Sequence, residues 1–266
     1  MKINLIDIPK VWITTDDSTE RHEAMESMFE KIGMNNVHKY SSPRMGEKGT
    51  PERNIGCTSG HLAANKIAEE LGLPVLILED DVEPTEWFWD NEAKTYNYTP
   101  EIEVPDDTDA VYIGTSSWAQ HGFQAYGESA LWSWPEKPIR MENQHGFDGA
   151  KNRSDIIRIT NMTGAHAILI VSPEYLFDCR KCQEQALENG WWHDACLAQK
   201  LQKWNVYATT YPYFYQDDGE VLIEATNCSV TDFMDSGEDY ITSLEVLHES
   251  EIRREEMLWE NEEENI

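Results

Sequence analysis

Four consecutive apolar residues, Val75-Leu76-Ile77-Leu78, run directly into three consecutive carboxylates, Glu79-Asp80-Asp81. A strand that is apolar on both faces belongs inside a sheet covered on both sides. That single feature predicts an α/β chain. In open sheets of this kind ligands collect outside the carboxyl ends of the strands. Three adjacent negative charges at such an end repel one another unless a cation or solvent offsets them. Hard divalent ions take oxygen ligands and bridge to diphosphates, so one reading is a Mg²⁺ or Mn²⁺ site holding a nucleotide diphosphate. The other reading is a solvated acidic turn.

The rest of the first half alternates strand and helix signals. Val11-Trp12-Ile13 reads as a short buried strand. Asp17 and Glu20 make a capping pair for a helix carrying Met25, Met28, Phe29 and Ile32, which Gly33 stops. A second helix is predicted from Thr58 or Ser59 to Leu71, with Ala64, Ile67 and Ala68 on its apolar face. Further strands are predicted at Ala110–Gly114 and Ala167–Val171, and Ser172-Pro173 opens another helix. A last helix is predicted from about Trp192 to Trp204. The alternation implies a mostly parallel central sheet with helices on both faces. Residues 1–236 are expected to form one domain, interrupted by an aromatic loop at 116–155 that holds Trp118, Trp132 and Trp134. Residues 237–266 read as an acidic helix or tail.

Charge narrows the partners. Fifty acidic residues against 21 Lys and Arg give a net charge of −29 over 266 residues. Such a surface repels nucleic acid and anionic lipid, and it repels a free nucleotide unless a cation bridges the two. No apolar stretch is long enough to span a bilayer. The opening residues, broken by Asp7 and Pro9, do not read as a signal peptide. Five cysteines, an odd and sparse set, suggest reduced thiols and a cytoplasmic setting. Cys179 and Cys182 have no second pair at zinc-finger distance and read as two semi-buried thiols.

The ordered motifs carry a resemblance. Ile55-Gly56-Cys57-Thr58-Ser59-Gly60-His61, a helix, then Leu78-Glu79-Asp80-Asp81-Val82 resembles glycosyltransferase family 25, the family of lipooligosaccharide and collagen galactosyltransferases. One extra residue separates Ser59 from His61 relative to the family pattern. Val11–Ile13 with Ser18, Glu20 and Arg21, then Asp107–Gly114, Thr163–Ala167, Asp194, and Tyr211-Pro212 with Gln216 are similar to later family segments in the same order. The resemblance spans roughly residues 9–235. It implies a GT-A type nucleotide-sugar-binding fold and metal-dependent transfer of a hexose, galactose from UDP-galactose in the nearest case, to a glycan or protein acceptor, with inversion. It also implies Mn²⁺ or Mg²⁺ as cofactor.

Within that reading Asp81 is the leading metal ligand, and Glu79 or Asp80 shares the ion or faces the ribose. Arg21 is a candidate for the nucleotide phosphate or base, or else a surface arginine beside Glu20 and Glu23. Asp194 is the candidate base for the acceptor hydroxyl, or else an ordinary carboxylate in the first turn of a helix. His193 is a candidate to complete a metal or acceptor site, His61 to support one, and Gln216 to contact donor or acceptor. The loop tryptophans are candidates to stack on an acceptor sugar. The alternative to an enzyme is a catalytically inactive nucleotide-sugar- or glycan-binding protein on the same fold.

Overall fold

The computed structural model describes residues 1–47, 50–84, 89–90, 95–96, 101–114, 141–142, 156–159, 164–209 and 213–216. In chain order its elements are β1 (Lys2–Asn4), β2 (Lys10–Thr15), α1 (Thr19–Ile32), β3 (Val37–Ser42), α2 (Pro51–Leu71), β4 (Val75–Glu79) and β5 (Val82–Pro84). Next come β6 (Trp89–Asp90), β7 (Thr95–Tyr96), β8 (Glu101–Glu103), β9 (Ala110–Tyr112), β10 (Met141–Glu142), β11 (Ile156–Ile159) and β12 (Ala167–Ile170). The helices α3 (Pro173–Asn189) and α4 (His193–Lys200) follow, then a 3₁₀ turn (Leu201–Lys203), β13 (Val206–Thr209) and β14 (Phe214–Gln216). Apart from β10, the aromatic 116–155 loop falls almost wholly outside the described residues, as does the acidic 237–266 segment.

Eight strands form the main sheet, in the order β10-β11-β13-β9-β12-β4-β2-β3. The pairs β2–β3, β2–β4 and β9–β13 are parallel, and the other four neighbouring pairs are antiparallel. The chain is α/β, but its sheet is mixed where the sequence implied a mostly parallel one. The difference centres on β12, which enters antiparallel between β4 and β9, with Ile168 opposite both Ile77 and Tyr112. An all-apolar run reports burial on both faces and says nothing of direction.

Both faces of the sheet are covered. On one, α1 places Met25, Met28 and Phe29 against Trp12, Leu76 and Leu78. On the other, α2, α3 and α4 place Ala64, Tyr175 and Leu197 against Val11, Val75 and Ile77. The four apolar side chains of β4, Val75 to Leu78, thus alternate between two cores, and each contributes about 1.5–3 kcal/mol by burial. No helix among the described residues is long and apolar enough to cross a membrane.

The helix ends show where local signals succeed. Gly33 ends α1 at φ 72°, a left-handed conformation that suits glycine. Ser172 caps α3 by accepting from the Tyr175 N–H at 3.2 Å, with Pro173 at the first position. The expected Asp17–Glu20 cap does not form. Ser18 occupies the N-cap without a side-chain cap bond, and Asp17 instead binds Arg44. Nor does α2 begin at Thr58 or Ser59: it begins at Pro51, capped by Thr50, which accepts from Arg53 N–H at 3.3 Å. Gly56 and Gly60, inside α2, are points of close contact. A Cβ on Gly60 would lie 2.8 Å from Ile13 Cγ2, so the glycine lets α2 lie close on β2. The final predicted helix splits, with α4 ending at Lys200 and the 3₁₀ turn completing the span.

Candidate functional site

Strand β2 sits between β3 and β4, and the chain leaves it toward β3 through α1 before returning to β4 through α2. The connections after β2 and after β4 lead to opposite sides, so the carboxyl ends of these two strands flank a topological switch point, where open α/β sheets bind ligands. Thr14, Thr15 and Asp16 stand at one end, and Glu79, Asp80 and Asp81 at the other.

The triplet divides between the two faces. Asp80 accepts from the Thr14 hydroxyl at 2.5 Å and from Arg21 Nη1 at 2.7 Å. The same guanidinium nitrogen lies 3.6 Å from Asp81 Oδ2. His22 Nε2 sits 3.0 Å from the Thr14 hydroxyl, extending the network under α1. The Asp80 and Asp81 side chains are 11% and 14% exposed, whereas Arg21 is 41% exposed. A cleft of about 280 Å³ opens beside them, lined by Arg21, Met28, Lys31, Asp80, Asp81 and Glu83 among others. The sequence placed Arg21, Asp80 and Asp81 in one site, and the structure brings these three together. Gln216 pairs in register with Val82 across β14 and β5, which sets its backbone beside the residue that follows Asp81.

Glu79 turns to the opposite face. Its Oε1 lies 2.8 Å from His61 Nε2 on α2. Cys57 stands one helical turn before His61, and one ligand atom each from Cys57, His61 and Glu79 falls within 4.8 Å of the others. The His193 ring packs against His61 with centroids 4.3 Å apart, and its Nδ1 lies 3.5 Å from the Thr58 hydroxyl. Asp194, the next residue, accepts from the Gly164 N–H at 3.0 Å. Gly164 holds φ 88°, a conformation that favours glycine and aims that N–H. Of the expected metal set, Glu79 and His193 therefore meet around His61, on the other side of the strand end from the Asp81–Arg21 contact.

Burial and charge set the protonation of this second group. Burial, with the nearby Asp194 and Asp80 carboxylates, pushes Glu79 up to about 7, and Arg53 and Arg21 oppose that rise. Burial lowers His61 to about 4 and His193 to about 3, so both rings are neutral near pH 7. Burial and the Glu79, Asp194 and Asp81 carboxylates raise the Cys57 thiol well above its usual range. Cys57 is the residue the sequence reading passed over. Its signal was the Cys57–His61 spacing of four, which carries meaning only once Thr50-Pro51 is seen to start the helix earlier. Cys179 and Cys182 are free thiols on the inner face of α3, buried more completely than the semi-buried pair expected from the sequence.

No protein-family model matches this sequence, and comparison with characterised proteins likewise finds no match.

Proposed function

We propose that this protein is a nucleotide-sugar-dependent glycosyltransferase that moves a hexose from a UDP-sugar to a glycan or protein acceptor, with inversion. The observation that carries the reading is the pair Asp80 and Asp81 at the switch point, clamped by Thr14 and Arg21 beside an open cleft. Two mostly covered carboxylates offer the all-oxygen donor set that Mn²⁺ or Mg²⁺ prefers, so the residues fit such an ion, with Asp81 as ligand and Asp80 sharing it. When bound, the ion supplies Lewis-acid neutralisation of the departing diphosphate.

The chain's own residues supply the remainder. Thr14 fixes the Asp80 carboxylate, and Arg21, 41% exposed beside the cleft, lies where its guanidinium would meet a phosphate. Asp194 lies on the far side of the strand end, near Glu79 and His61. As general base it takes the acceptor hydroxyl's proton while the oxygen bonds to the anomeric carbon and the bond to the diphosphate breaks. One observation favours the non-catalytic alternative: Asp194 Oδ2 is already engaged by the Gly164 N–H.

Thermal unfolding with UDP, Mn²⁺ and both together tests the reading. At ligand concentrations near one hundred times Kd the native state gains about 2.7 kcal/mol, a midpoint rise of roughly 5–10 °C. We expect that rise with both ligands and little with either alone. Asp81→Ala should abolish it. Asp194→Asn should keep the rise but lose sugar transfer. Absence of any shift at millimolar UDP and Mn²⁺ would overturn the proposal. A joint shift without turnover on any acceptor would establish the binding-only alternative.

A further inference from the structure

We propose that Cys57, His61 and Glu79, with His193 as fourth donor, form a site for a borderline-soft divalent cation of the zinc class, distinct from the Asp80–Asp81 cleft. Cys57 and His61 lie four residues apart on α2 and so share a helix face. Glu79 ends β4, whose preceding residues are locked in both cores, so its carboxylate meets that face from a fixed strand. One ligand atom from each of the three falls within 4.8 Å of the others, so a cation at the usual bond lengths of about 2.0–2.3 Å needs only a small contraction of these three, with His193, stacked on His61 outside that group, turning in as the fourth.

Donor chemistry selects the ion. Sulfur, imidazole nitrogen and carboxylate oxygen together suit Zn²⁺, whereas Mg²⁺ takes oxygen alone. A second observation is independent of the triad. His193 is 3% exposed, its Nε2 has no hydrogen-bond partner among the described residues, and its ring packs against His61. A buried imidazole nitrogen left without a partner is unfavourable, and coordination removes that cost. On binding, the Cys57 thiol proton and any proton held by Glu79 go to solvent, and the ion takes the place of the His61–Glu79 hydrogen bond, with the remaining His61 proton on Nδ1. The ion would tie α2 to β4 and α4 where all three meet the strand ends. The inference does not depend on the transferase reading, because its donors are Cys57, His61, Glu79 and His193, whereas Asp80 binds Thr14 and Arg21 and Asp81 lies beside Arg21.

Cobalt reports the site directly. The full chain, reduced and stripped of metal, should bind one equivalent of Co²⁺ with a near-ultraviolet thiolate-to-cobalt charge-transfer band, and Zn²⁺ should displace it. Cys57→Ser should remove the band. His193→Ala should weaken Zn²⁺ binding by at least the roughly 10–100-fold that loss of a residue supporting a ligand typically costs. Asp81→Ala should leave the band intact. A folded wild-type chain without the band overturns the inference. So does a band that survives Cys57→Ser, which would place the metal on other cysteines. Should the Cys57 variant fail to fold, alkylation of the wild type decides. Zn²⁺ should slow labelling of Cys57 at least tenfold without changing Cys179, Cys182 or Cys196, and an unchanged Cys57 rate overturns the inference.

Discussion

Glu79, Asp80 and Asp81 are neighbours in the chain yet meet different surroundings, because β4 ends at Glu79 and the chain turns at Asp80 and Asp81. Glu79 faces His61 under α2, while Asp80 faces Thr14 and Arg21 under α1. A similar fine division governs Gly114, the residue after Ile113 at the end of β9. A Cβ there would fall 2.5 Å from His166 Nε2 and 2.7 Å from the Ala167 Cβ. The second neighbour belongs to a β12 residue in the ladder and cannot step aside. We expect Gly114→Ala to destabilise the fold by about 1–3 kcal/mol, the usual range for overpacking. Urea unfolding checks this, and His166→Ala should restore part of the loss in the double variant by removing the closest obstacle. An unchanged midpoint in Gly114→Ala would show that the close approach does not matter.

At the scale of elements, α2 and α3 are set by their first residues. The 21-residue α2 starts on Thr50 and Pro51 and runs past the sheet edge, which is how Cys57 and His61 reach the end of β4. Buried Asn65 donates to Gln183 at 3.0 Å and fixes the register of α2 on α3. Ser172 does two things at once. It caps α3, and its hydroxyl donates to Asp109 Oδ1 at 2.6 Å, while Asp109 Oδ2 accepts from the Asn205 N–H at 2.8 Å. Asp109 thus staples the loops entering β9, α3 and β13 at the end of the sheet opposite the site. Ser172→Ala should cost about 1–2 kcal/mol by loss of the cap and of one Asp109 partner. The urea midpoint should fall at constant slope, and a midpoint equal to wild type would remove the staple from this account.

For the whole molecule, acid should be destabilising before the surface carboxylates titrate. Burial lowers His61 and His166 to about 4 and His193 to about 3. The unfolded chain therefore binds more protons than the folded one as pH falls from 6.5 toward 4, and stability falls with it. Glu79, raised to about 7, acts the other way, since the folded state holds its proton between 4.5 and 7. Three imidazoles outweigh one carboxyl. For the metal-free chain we expect the urea midpoint to drop steadily between pH 6.5 and 5, and His166→Asn to flatten that drop. A midpoint that rises over this interval would mean that Glu79 and the relief of the −29 net charge dominate instead.

The sequence by itself determined the α/β class, the buried character of β4, the two-sided cover and the place of the three carboxylates at a strand end. These follow from local period and burial, because an apolar run that stops on charge has few places to go. It also determined the ends of α1 and α3, where Gly33 and Ser172-Pro173 act through their own backbone and side chain. Only the tertiary structure decided the direction of β12, which depends on how the chain returns and not on its composition. Only the tertiary structure moved Glu79 away from Asp81 and brought Cys57 to it. That placement needed the close seat of Gly60 on Ile13, a long-range packing fact that no window of sequence contains, and a start of α2 at the local Thr50-Pro51 cap rather than at the expected Thr58 or Ser59. Asp194 shows the boundary between the two: its place in the first turn of a helix was legible, but its Gly164 partner and its nearness to Glu79 belong to the fold.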